Sequence, residues 1–178
     1  MTSAETHTAY IGLGSNIRSH AGEPAETIEA AFRALERIGE LTARSSLYET
    51  APVGIAEQPP FVNAVVALRT ADSPDLLLDK LLAIERDFGR DRRNSTPKGP
   101  RTLDLDLLLV DGLTANTPAL SLPHPALAER RFVLAPLAEI APEMPHPLLH
   151  ATMRDLLAAL PDAGANSVKS VRVLRRRP

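Results

Sequence analysis

The chain has 178 residues, of which 44% are hydrophobic and 24% charged, and its formal net charge at pH 7 is -2. These values are typical of one globular domain with its own core, and they argue against general affinity for nucleic acid or membranes. The absence of cysteine excludes disulfides, thiolate metal sites and a cysteine nucleophile.

The first half of the chain alternates strand and helix signals. Residues 9–13 are apolar and predict a buried strand. Pro24 stands at a first helical position, apolar residues follow at helical spacing, and Gly39 ends the predicted helix. Residues 41–50 and 61–70 predict two further strands, joined by a proline-rich segment that is too long for a tight hairpin.

A second helix is predicted from the N-cap Ser73 and the first-turn Pro74 to Gly89, and an apolar strand follows at residues 103–110. The order strand, helix, strand, strand, helix, strand predicts an α+β fold. Its core would be a ferredoxin-like βαββαβ unit over about residues 9–110.

Beyond this core we expect a C-terminal proline-rich and helical extension at residues 111–160. Short helices are expected at 126–129, 136–140 and 153–160. Residues 161–178 form a basic tail, which we interpret as solvated. All of residues 1–178 would then belong to a single domain.

Asp104 and Asp106 are the residues hardest to explain as scaffold. Side chains two apart on a strand share a face, so the aspartates project together while Leu103, Leu105 and Leu107 cover the other face. Neighbouring carboxylates repel each other and are costly to desolvate, and one or two divalent cations are the usual reason to hold both. The alternative is that they pair with nearby arginines.

The segment before this strand is strongly basic. Between residues 90 and 101, Asp91 is the single acid, and the basic residues are Arg90, Arg92, Arg93, Lys98 and Arg101. Carboxylates that hold magnesium, next to guanidinium groups that neutralise phosphate, suit a magnesium-bound polyphosphate.

Two earlier segments have both a functional and a scaffold interpretation. Residues 12–16, Gly-Leu-Gly-Ser-Asn, resemble the beginning of a phosphate-binding loop but lack the spacing of the common nucleotide motifs, so we favour a tight turn at residues 14–16. Phe61 and Asn63 share a strand face and could bind a flat heterocycle by stacking and hydrogen bonding. Alternatively, Phe61 belongs to the core and Asn63 caps a bulge.

Three further polar residues are less specific. Glu85 lies among apolar helix neighbours, and it is either at the solvent edge, which we take as the default, or an acceptor for a base amine. His124 and Arg130, on a loop that also carries Phe132, are either phosphate contacts or structural residues.

Taken together and in this order, these segments resemble the 6-hydroxymethyl-7,8-dihydropterin pyrophosphokinase (HPPK) family. The matching pieces are residues 10–16, 48–54, 58–63, 99–106 and 122–137. The sequence Gly-Pro-Arg-Thr-Leu-Asp-Leu-Asp at 99–106 is highly specific to that family. The resemblance implies an ATP-dependent enzyme of folate biosynthesis, which transfers the β,γ-pyrophosphoryl group of ATP to the hydroxymethyl oxygen of the pterin and releases AMP.

The resemblance also implies site residues. Two Mg²⁺ ions would be held by Asp104 and Asp106. The polyphosphate would be clamped by Arg90 and Arg101, with Arg92 as a third arginine. Glu85 would contact adenine. The ribose and phosphates would be bound by Ser121, His124 and Arg130. The pterin would stack between Phe61 and Phe132. Asn63 and the backbone of Thr50 and Val53 would recognise its edge.

The chain departs from the family pattern in the basic segment of residues 90–101, which we call the arginine loop. Between Gly89 and Gly99 this loop is one residue longer than in compared members, and Lys98 stands where many members have an aromatic residue. We expect these differences to affect loop closure and rate and not the reaction. A nucleotidyltransferase, which would release pyrophosphate, and a nucleotide-binding regulatory module remain alternatives. The polar first eight residues and the lack of a membrane-spanning run predict a cytoplasmic protein, which we expect to be a monomer without nucleic-acid or membrane partners.

Overall fold

The computed structural model describes residues 5–52 and 57–161, together with the backbone of residues 172–174. The strands are β1 (His7–Ser15), β2 (Glu40–Arg44), β3 (Leu47–Thr50), β4 (Phe61–Thr70), β5 (Asp104–Val110), β6 (Ala115–Asn116), β7 (Ser121–Leu122) and β8 (Arg172–Leu174). The α-helices are α1 (Pro24–Leu35), α2 (Pro74–Asp87), α3 (Arg131–Ile140) and α4 (Met153–Ala159), and a 3₁₀ helix spans Leu127–Glu129.

One six-stranded sheet organises the molecule. Its strand order is β5-β1-β4-β3-β8, with β2 also paired to β4, and each of these pairings is antiparallel. Strands β6 and β7 form a separate two-stranded sheet. The result is a mixed α and β fold with an antiparallel sheet, as the sequence predicts at this level.

Helices pack on both faces of the sheet and create two hydrophobic clusters. On one face α1 and α2 bury Phe32 and Leu77 against strand residues such as Ile11. On the other face, α3 and α4 pack over the sheet, and Leu134 of α3 is buried with Leu108 of β5. Because each face is covered by helices, side chains from both faces of the central strands are withdrawn from water.

The first two helices begin where the sequence predicts. The side chain of Ser73 accepts a hydrogen bond from the Leu76 backbone N–H at 3.3 Å, which confirms it as the N-cap of α2. Helix α1 begins at Pro24 behind a capping box formed by Glu23 and Glu26.

The predicted strand at residues 41–50 is broken, because β2 ends at Arg44 and β3 begins at Leu47. At the break, the Ser45 backbone N–H donates to the Val65 carbonyl, and its hydroxyl accepts from the Val65 backbone N–H. The adjacent Ser46 is held by the Glu139 carboxylate of α3. These side-chain bonds replace a regular strand ladder and divide the strand.

The third helix is longer than predicted. We expected a short helix at 136–140, but α3 begins at Arg131 and runs through Pro136. Proline there lacks the N–H that would bond to the carbonyl of Phe132, yet Val133, Leu134 and Leu137 are buried, and their packing holds the helix.

None of the helices in the described part of the chain is long and apolar enough to cross a membrane. The predicted basic tail, apart from the backbone of β8, lies outside the described residues. The backbone of β8 pairs with β3.

Candidate active site

The floor of the candidate site is a set of residues that lie opposite each other across three strands. Asp104 of β5 faces Gly14 of β1, and Gly14 in turn faces Asn63 of β4. Two residues further along β5, Asp106 faces Gly12 of β1. Both carboxylates therefore lie beside residues without side chains, and both glycines line the same cavity as the carboxylates.

Gly14 has little room for a side chain. A Cβ atom there would lie 3.1 Å from Oδ1 of Asn63 and 3.9 Å from Cβ of Asp104. Both glycines belong to β1, which continues to Ser15, so the predicted turn at residues 14–16 is wrong, and residues 12–15 are strand and not loop. Hydrogen-bonded neighbours on both sides keep this segment extended, and its glycines allow the side chains of Leu108 and Asn63 to pack against the strand.

Asp104 and Asp106 project into one cleft, as the alternation of the strand predicts. Leu103, Leu105 and Leu107 are buried in the cluster on the opposite face. Burial, together with the negative charge of Asp104, raises the pKa of Asp106 to about 6. The cleft thus holds two carboxylates that repel each other.

Three arginines converge on Asp104. The distances from its carboxylate oxygens are 3.2 Å to Nε of Arg101, 3.6 Å to Nη2 of Arg92 and 3.8 Å to Nη2 of Arg90. Nε of Arg90 and Nε of Arg101 are buried and have no hydrogen-bond partner in the described structure. Burial lowers the pKa of Arg90, and the charge of Asp104 opposes that shift. The arginine pairing that the sequence left as an alternative is present at Asp104.

Glu85 is fully buried, so the expectation that it lies at the solvent edge of its helix is wrong. Its carboxylate accepts hydrogen bonds from Nε and Nη2 of Arg92, both at 2.7 Å, and from the Leu105 backbone N–H at 2.8 Å. Both oxygens are therefore engaged. An arginine from the following loop compensates the charge that burial would otherwise make costly.

An arginine side chain lies over the ring of each of the two aromatic candidates, Phe61 and Phe132. The guanidinium carbon of Arg101 lies 4.8 Å from the ring centroid of Phe61, and that of Arg130 lies 5.8 Å from the ring centroid of Phe132. Phe132 lies in the first turn of α3 and not on a loop. All four side chains line one cavity of about 60 Å³.

Asn63 and Thr50 form the polar side of the same cavity. The Asn63 amide donates to the Thr50 hydroxyl at 2.6 Å, and both side chains are buried. Asn63 pairs regularly with Gly14, so it does not cap a bulge, whereas Phe61 is both buried and a cavity residue. Val53 lies outside the described residues.

The remaining nucleotide candidates are spread around the cleft. Ser121 lies in β7, opposite Asn116, and is not among the residues that line the cavity. The backbone N–H of His124 donates to the Leu108 carbonyl. Burial, and then the charge of Arg130, lower the pKa of His124, while Asp104 opposes the shift.

The sequence missed the part that Asn16 plays. Its buried side-chain amide bonds to Gln58, to the Pro59 carbonyl and to the Arg101 backbone N–H. An asparagine that follows a predicted strand is an ordinary turn residue in a sequence, and only the meeting of two distant loops gives it these partners.

The donors in the cleft are suited to magnesium. Within residues 5–52 and 57–161, no group of three or more histidine, aspartate or glutamate side chains could hold a metal ion on its own. Mg²⁺ is commonly bound through one or two carboxylates plus water and substrate phosphates, which agrees with two aspartates at an open cleft. Nε of Arg90 and Nε of Arg101 are buried without a hydrogen bond, which agrees with an anion as the remaining ligand.

Comparison with known proteins gives a consistent result. The sequence model of the 7,8-dihydro-6-hydroxymethylpterin-pyrophosphokinase (HPPK) family matches residues 10–142. A 2-amino-4-hydroxy-6-hydroxymethyldihydropteridine pyrophosphokinase of Pseudomonas aeruginosa is 46% identical over 157 residues, which cover 87% of this chain and 93% of that protein. The protein of the same name from Methylorubrum extorquens is 40% identical and covers 90% of this chain and 98% of its own length.

Longer proteins match as well. Folic acid synthesis protein fol1 of Schizosaccharomyces pombe is 37% identical over 91% of this chain, which spans only 22% of that protein. The crystal structure of wild-type Plasmodium falciparum HPPK-DHPS matches with a TM-score of 0.70 at 18% identity, covering 89% of this chain and 45% of that one. This last likeness concerns the fold.

Proposed function

The chain belongs to the 7,8-dihydro-6-hydroxymethylpterin-pyrophosphokinase family, and we infer that the Asp104–Asp106 cleft is its active site. The enzyme transfers the pyrophosphoryl group of ATP to 6-hydroxymethyl-7,8-dihydropterin in folate biosynthesis, and AMP leaves. The observation that carries the site assignment is the pair of carboxylates on one strand face, with three arginines within 4 Å of one of them. A transfer between charged groups needs positioning and charge neutralisation more than proton shuttling.

Asp104 and Asp106 would hold two Mg²⁺ ions. When bound, these ions would supply positive charge that offsets the negative charge of the polyphosphate. The aspartates are fixed for this purpose because β5 pairs with β1 beside Gly12 and Gly14, and because the neighbouring leucines anchor the other face of the strand.

Arg90 and Arg101 would clamp the polyphosphate. The buried Nε–H of Arg90 makes no hydrogen bond, and that of Arg101 faces Asp104 at 3.2 Å without hydrogen-bond geometry, so a phosphate oxygen would supply the missing hydrogen bond to each donor. Arg92 would join them after release from Glu85, to which it is now bonded. Closure of this loop over the site would exclude water, which could otherwise hydrolyse the nucleotide.

The rest of the nucleotide would be bound around Asp106. We assign adenine to Glu85, and ribose and phosphates to Ser121, His124 and Arg130. The position of Arg130 among the cavity residues supports this assignment. Oε2 of Glu85 accepts one hydrogen bond, from Nε of Arg92, and its second lone pair would accept from an adenine amine.

The pterin would stack between Phe61 and Phe132, with Asn63 and the backbone of Thr50 and Val53 along its edge. The support is that both rings line the cavity that also contains Asp104. Arg101 and Arg130, which now lie over the rings, would transfer to phosphate as the pterin enters. Movement of these two arginines would thereby couple binding of the pterin to binding of the polyphosphate.

We also propose a ferredoxin-like core with a C-terminal extension in one domain. The strand order β5-β1-β4-β3 and the alternation of α1 and α2 with the strands support it. A monomeric state and a cytoplasmic location stay predictions.

The reaction class can be tested by ³¹P NMR of wild-type protein with ATP, Mg²⁺ and 6-hydroxymethyl-7,8-dihydropterin. The proposal predicts AMP together with a diphosphate ester on the pterin. Release of inorganic pyrophosphate with an adenylated product would favour the nucleotidyltransferase alternative. An unchanged ATP spectrum despite nucleotide binding would favour the regulatory module.

A further inference from the structure

Asn16 connects the end of β1 to two separate loops. Its Oδ1 accepts a hydrogen bond from the Arg101 backbone N–H at 2.8 Å. Its Nδ2 donates to Oε1 of Gln58 at 3.0 Å and to the Pro59 carbonyl at 3.1 Å. The residue is 2% exposed, so protein groups take the place of water around its amide.

The backbone of Arg101 is held on both sides by this contact. Besides the N–H, its carbonyl accepts from the backbone N–H groups of Asn16 at 3.1 Å and Ile17 at 3.3 Å. The side chain that leaves this fixed point reaches Asp104 and lies over the ring of Phe61. The Asn16 side chain therefore supplies one of the three hydrogen bonds that fix the backbone from which the Arg101 side chain projects.

The second arm of the contact holds the proline-rich loop. Pro59 precedes Phe61 by two residues, so its bonded carbonyl fixes the entry of β4 at the proposed pterin face. Gln58 extends the link, because its Nε2 donates to the Lys98 carbonyl at 2.9 Å. Lys98 adopts a left-handed backbone with φ of 59°. Thus the arginine loop is attached at Lys98 and at Arg101.

We propose that Asn16 is a positioning residue for the reaction. Through one amide it keeps the clamp arginine Arg101 and the aromatic Phe61 at a fixed separation, so that polyphosphate and pterin are presented to each other in line. This inference rests on the proposed function, since it assigns Asn16 to the geometry of that transfer. The two arms predict two separable effects, one on rate through Arg101 and one on pterin affinity through Phe61.

Steady-state kinetics of Asn16→Ala test both arms. Because small misplacements of reacting groups are costly, we expect kcat to fall about 30-fold. The KM for the pterin should rise about fivefold while the KM for ATP stays within about twofold. Gln58→Ala removes the Gln58 hydrogen bonds to Asn16 and to the Lys98 carbonyl but keeps the Asn16 bonds to Pro59 and Arg101. It weakens the second arm without touching the first, so it should raise the KM for the pterin by about twofold to threefold and change kcat by less than about threefold.

A double-mutant cycle separates positioning from general damage. In an Arg101→Ala background, Asn16→Ala should lower kcat by less than about twofold further, because the side chain that it positions is gone. Its effect on the KM for the pterin should persist. Equal kcat losses in the two backgrounds would show that Asn16 does not act through Arg101.

Hydrogen exchange gives a readout without substrate. In Asn16→Ala the Arg101 amide proton should exchange at least tenfold faster under native conditions, because its acceptor is removed. Thr70→Val is the matched control, since it removes two side-chain hydrogen bonds from a buried residue at the far end of β4. It should leave the Arg101 amide, kcat and both KM values unchanged.

The outcomes distinguish this inference from the reaction itself. A wild-type enzyme without pterin-dependent AMP release would overturn the proposed function. An active wild type, with folded Asn16→Ala that keeps normal kcat, normal pterin KM and a protected Arg101 amide, would overturn the role of Asn16 alone. If Asn16→Ala does not fold, Gln58→Ala decides, and an unchanged pterin KM in that variant contradicts the proposal.

Discussion

Arg92 and Glu85 form a bidentate ion pair across the edge of the cleft, with Nε to Oε2 and Nη2 to Oε1 both at 2.7 Å. The Glu85 side chain is 1% exposed and that of Arg92 is 49% exposed. The same carboxylate accepts from the Leu105 backbone N–H, so one group connects α2, the arginine loop and the aspartate strand. Hydrogen bonding to Glu85 raises the pKa of Arg92.

Removal of this carboxylate should destabilise the fold. Glu85→Ala leaves the buried Leu105 N–H without its acceptor and Arg92 without its partner, and we expect the free energy of unfolding to fall by about 2–3 kcal/mol. Glu85→Gln keeps an acceptor for Leu105 and should cost about half as much. Urea denaturation measures both.

Glu40 provides the control for that comparison. It also pairs with an arginine, Arg69, but the Glu40 side chain is 61% exposed. Glu40→Ala should therefore change stability by less than about 0.5 kcal/mol. If the Glu85 and Glu40 variants were equally destabilised, the buried ion pair would contribute no more to the free energy of unfolding than the exposed one.

The arginines around Asp104 should oppose metal binding in the absence of nucleotide. Arg90 lies 3.8 Å from the carboxylate, and its side chain is 11% exposed. Because it repels a cation at that position, Arg90→Ala should strengthen binding of Mn²⁺ alone by about tenfold. Electron paramagnetic resonance of free Mn²⁺ measures this affinity.

Arg93 supplies the matched variant for the metal experiment, since it is an exposed arginine of the same loop. Arg93→Ala should leave Mn²⁺ affinity within about twofold of wild type because exposed charges are screened. A weaker or unchanged affinity in Arg90→Ala would contradict competition between arginine and metal at Asp104.

Arg101 should contribute to rate more than to binding. The Arg101→Ala variant loses a donor to the charge that develops during transfer, so kcat should fall about 100-fold. The KM for the pterin should be unchanged or lower, because the face of Phe61 is uncovered. Steady-state kinetics, with calorimetry of a non-hydrolysable ATP analogue, separate the effects. Parallel losses in binding and in kcat would argue against a clamp that acts in the transition state.

His146 should make the fold sensitive to acid. Its Nδ1 accepts from the backbone N–H groups of Leu148 at 3.3 Å and Leu149 at 3.2 Å, and burial lowers its pKa below the usual 6.5. The unfolded chain takes up a proton near pH 6.5 while the folded ring stays neutral. Stability from this group is therefore complete above that pH and is lost as the pH falls below it.

The His146→Asn variant keeps an acceptor but cannot titrate. Its free energy of unfolding should decrease less than that of wild type between pH 7.5 and pH 5.5, as measured by urea denaturation at each pH. His150→Asn, at an exposed position with φ of 55° that asparagine tolerates, should keep the wild-type dependence. Identical pH profiles for wild type and His146→Asn would refute the assignment.

Local patterns account for what the sequence predicts well. The shared face of Asp104 and Asp106 follows from the period of a strand, and the start of α2 follows from the Ser73 cap. Both are determined within a few residues of chain.

What the sequence missed depends on distant partners. Glu85 was expected at the solvent edge because no local pattern shows that Arg92 folds back onto it. Residues 14–16 have turn composition, yet two neighbouring strands keep β1 extended to Ser15. Pro136 is a local helix breaker, but buried neighbours on α3 outweigh it.

The most direct test of the account is AMP release from ATP and Mg²⁺, with and without 6-hydroxymethyl-7,8-dihydropterin, in wild type and in Asp106→Asn. Wild type should form AMP only when the pterin is present, and Asp106→Asn, which retains the size of the side chain but not its charge, should form none. AMP formation by Asp106→Asn at the wild-type rate would contradict the Asp104–Asp106 cleft as the site of transfer.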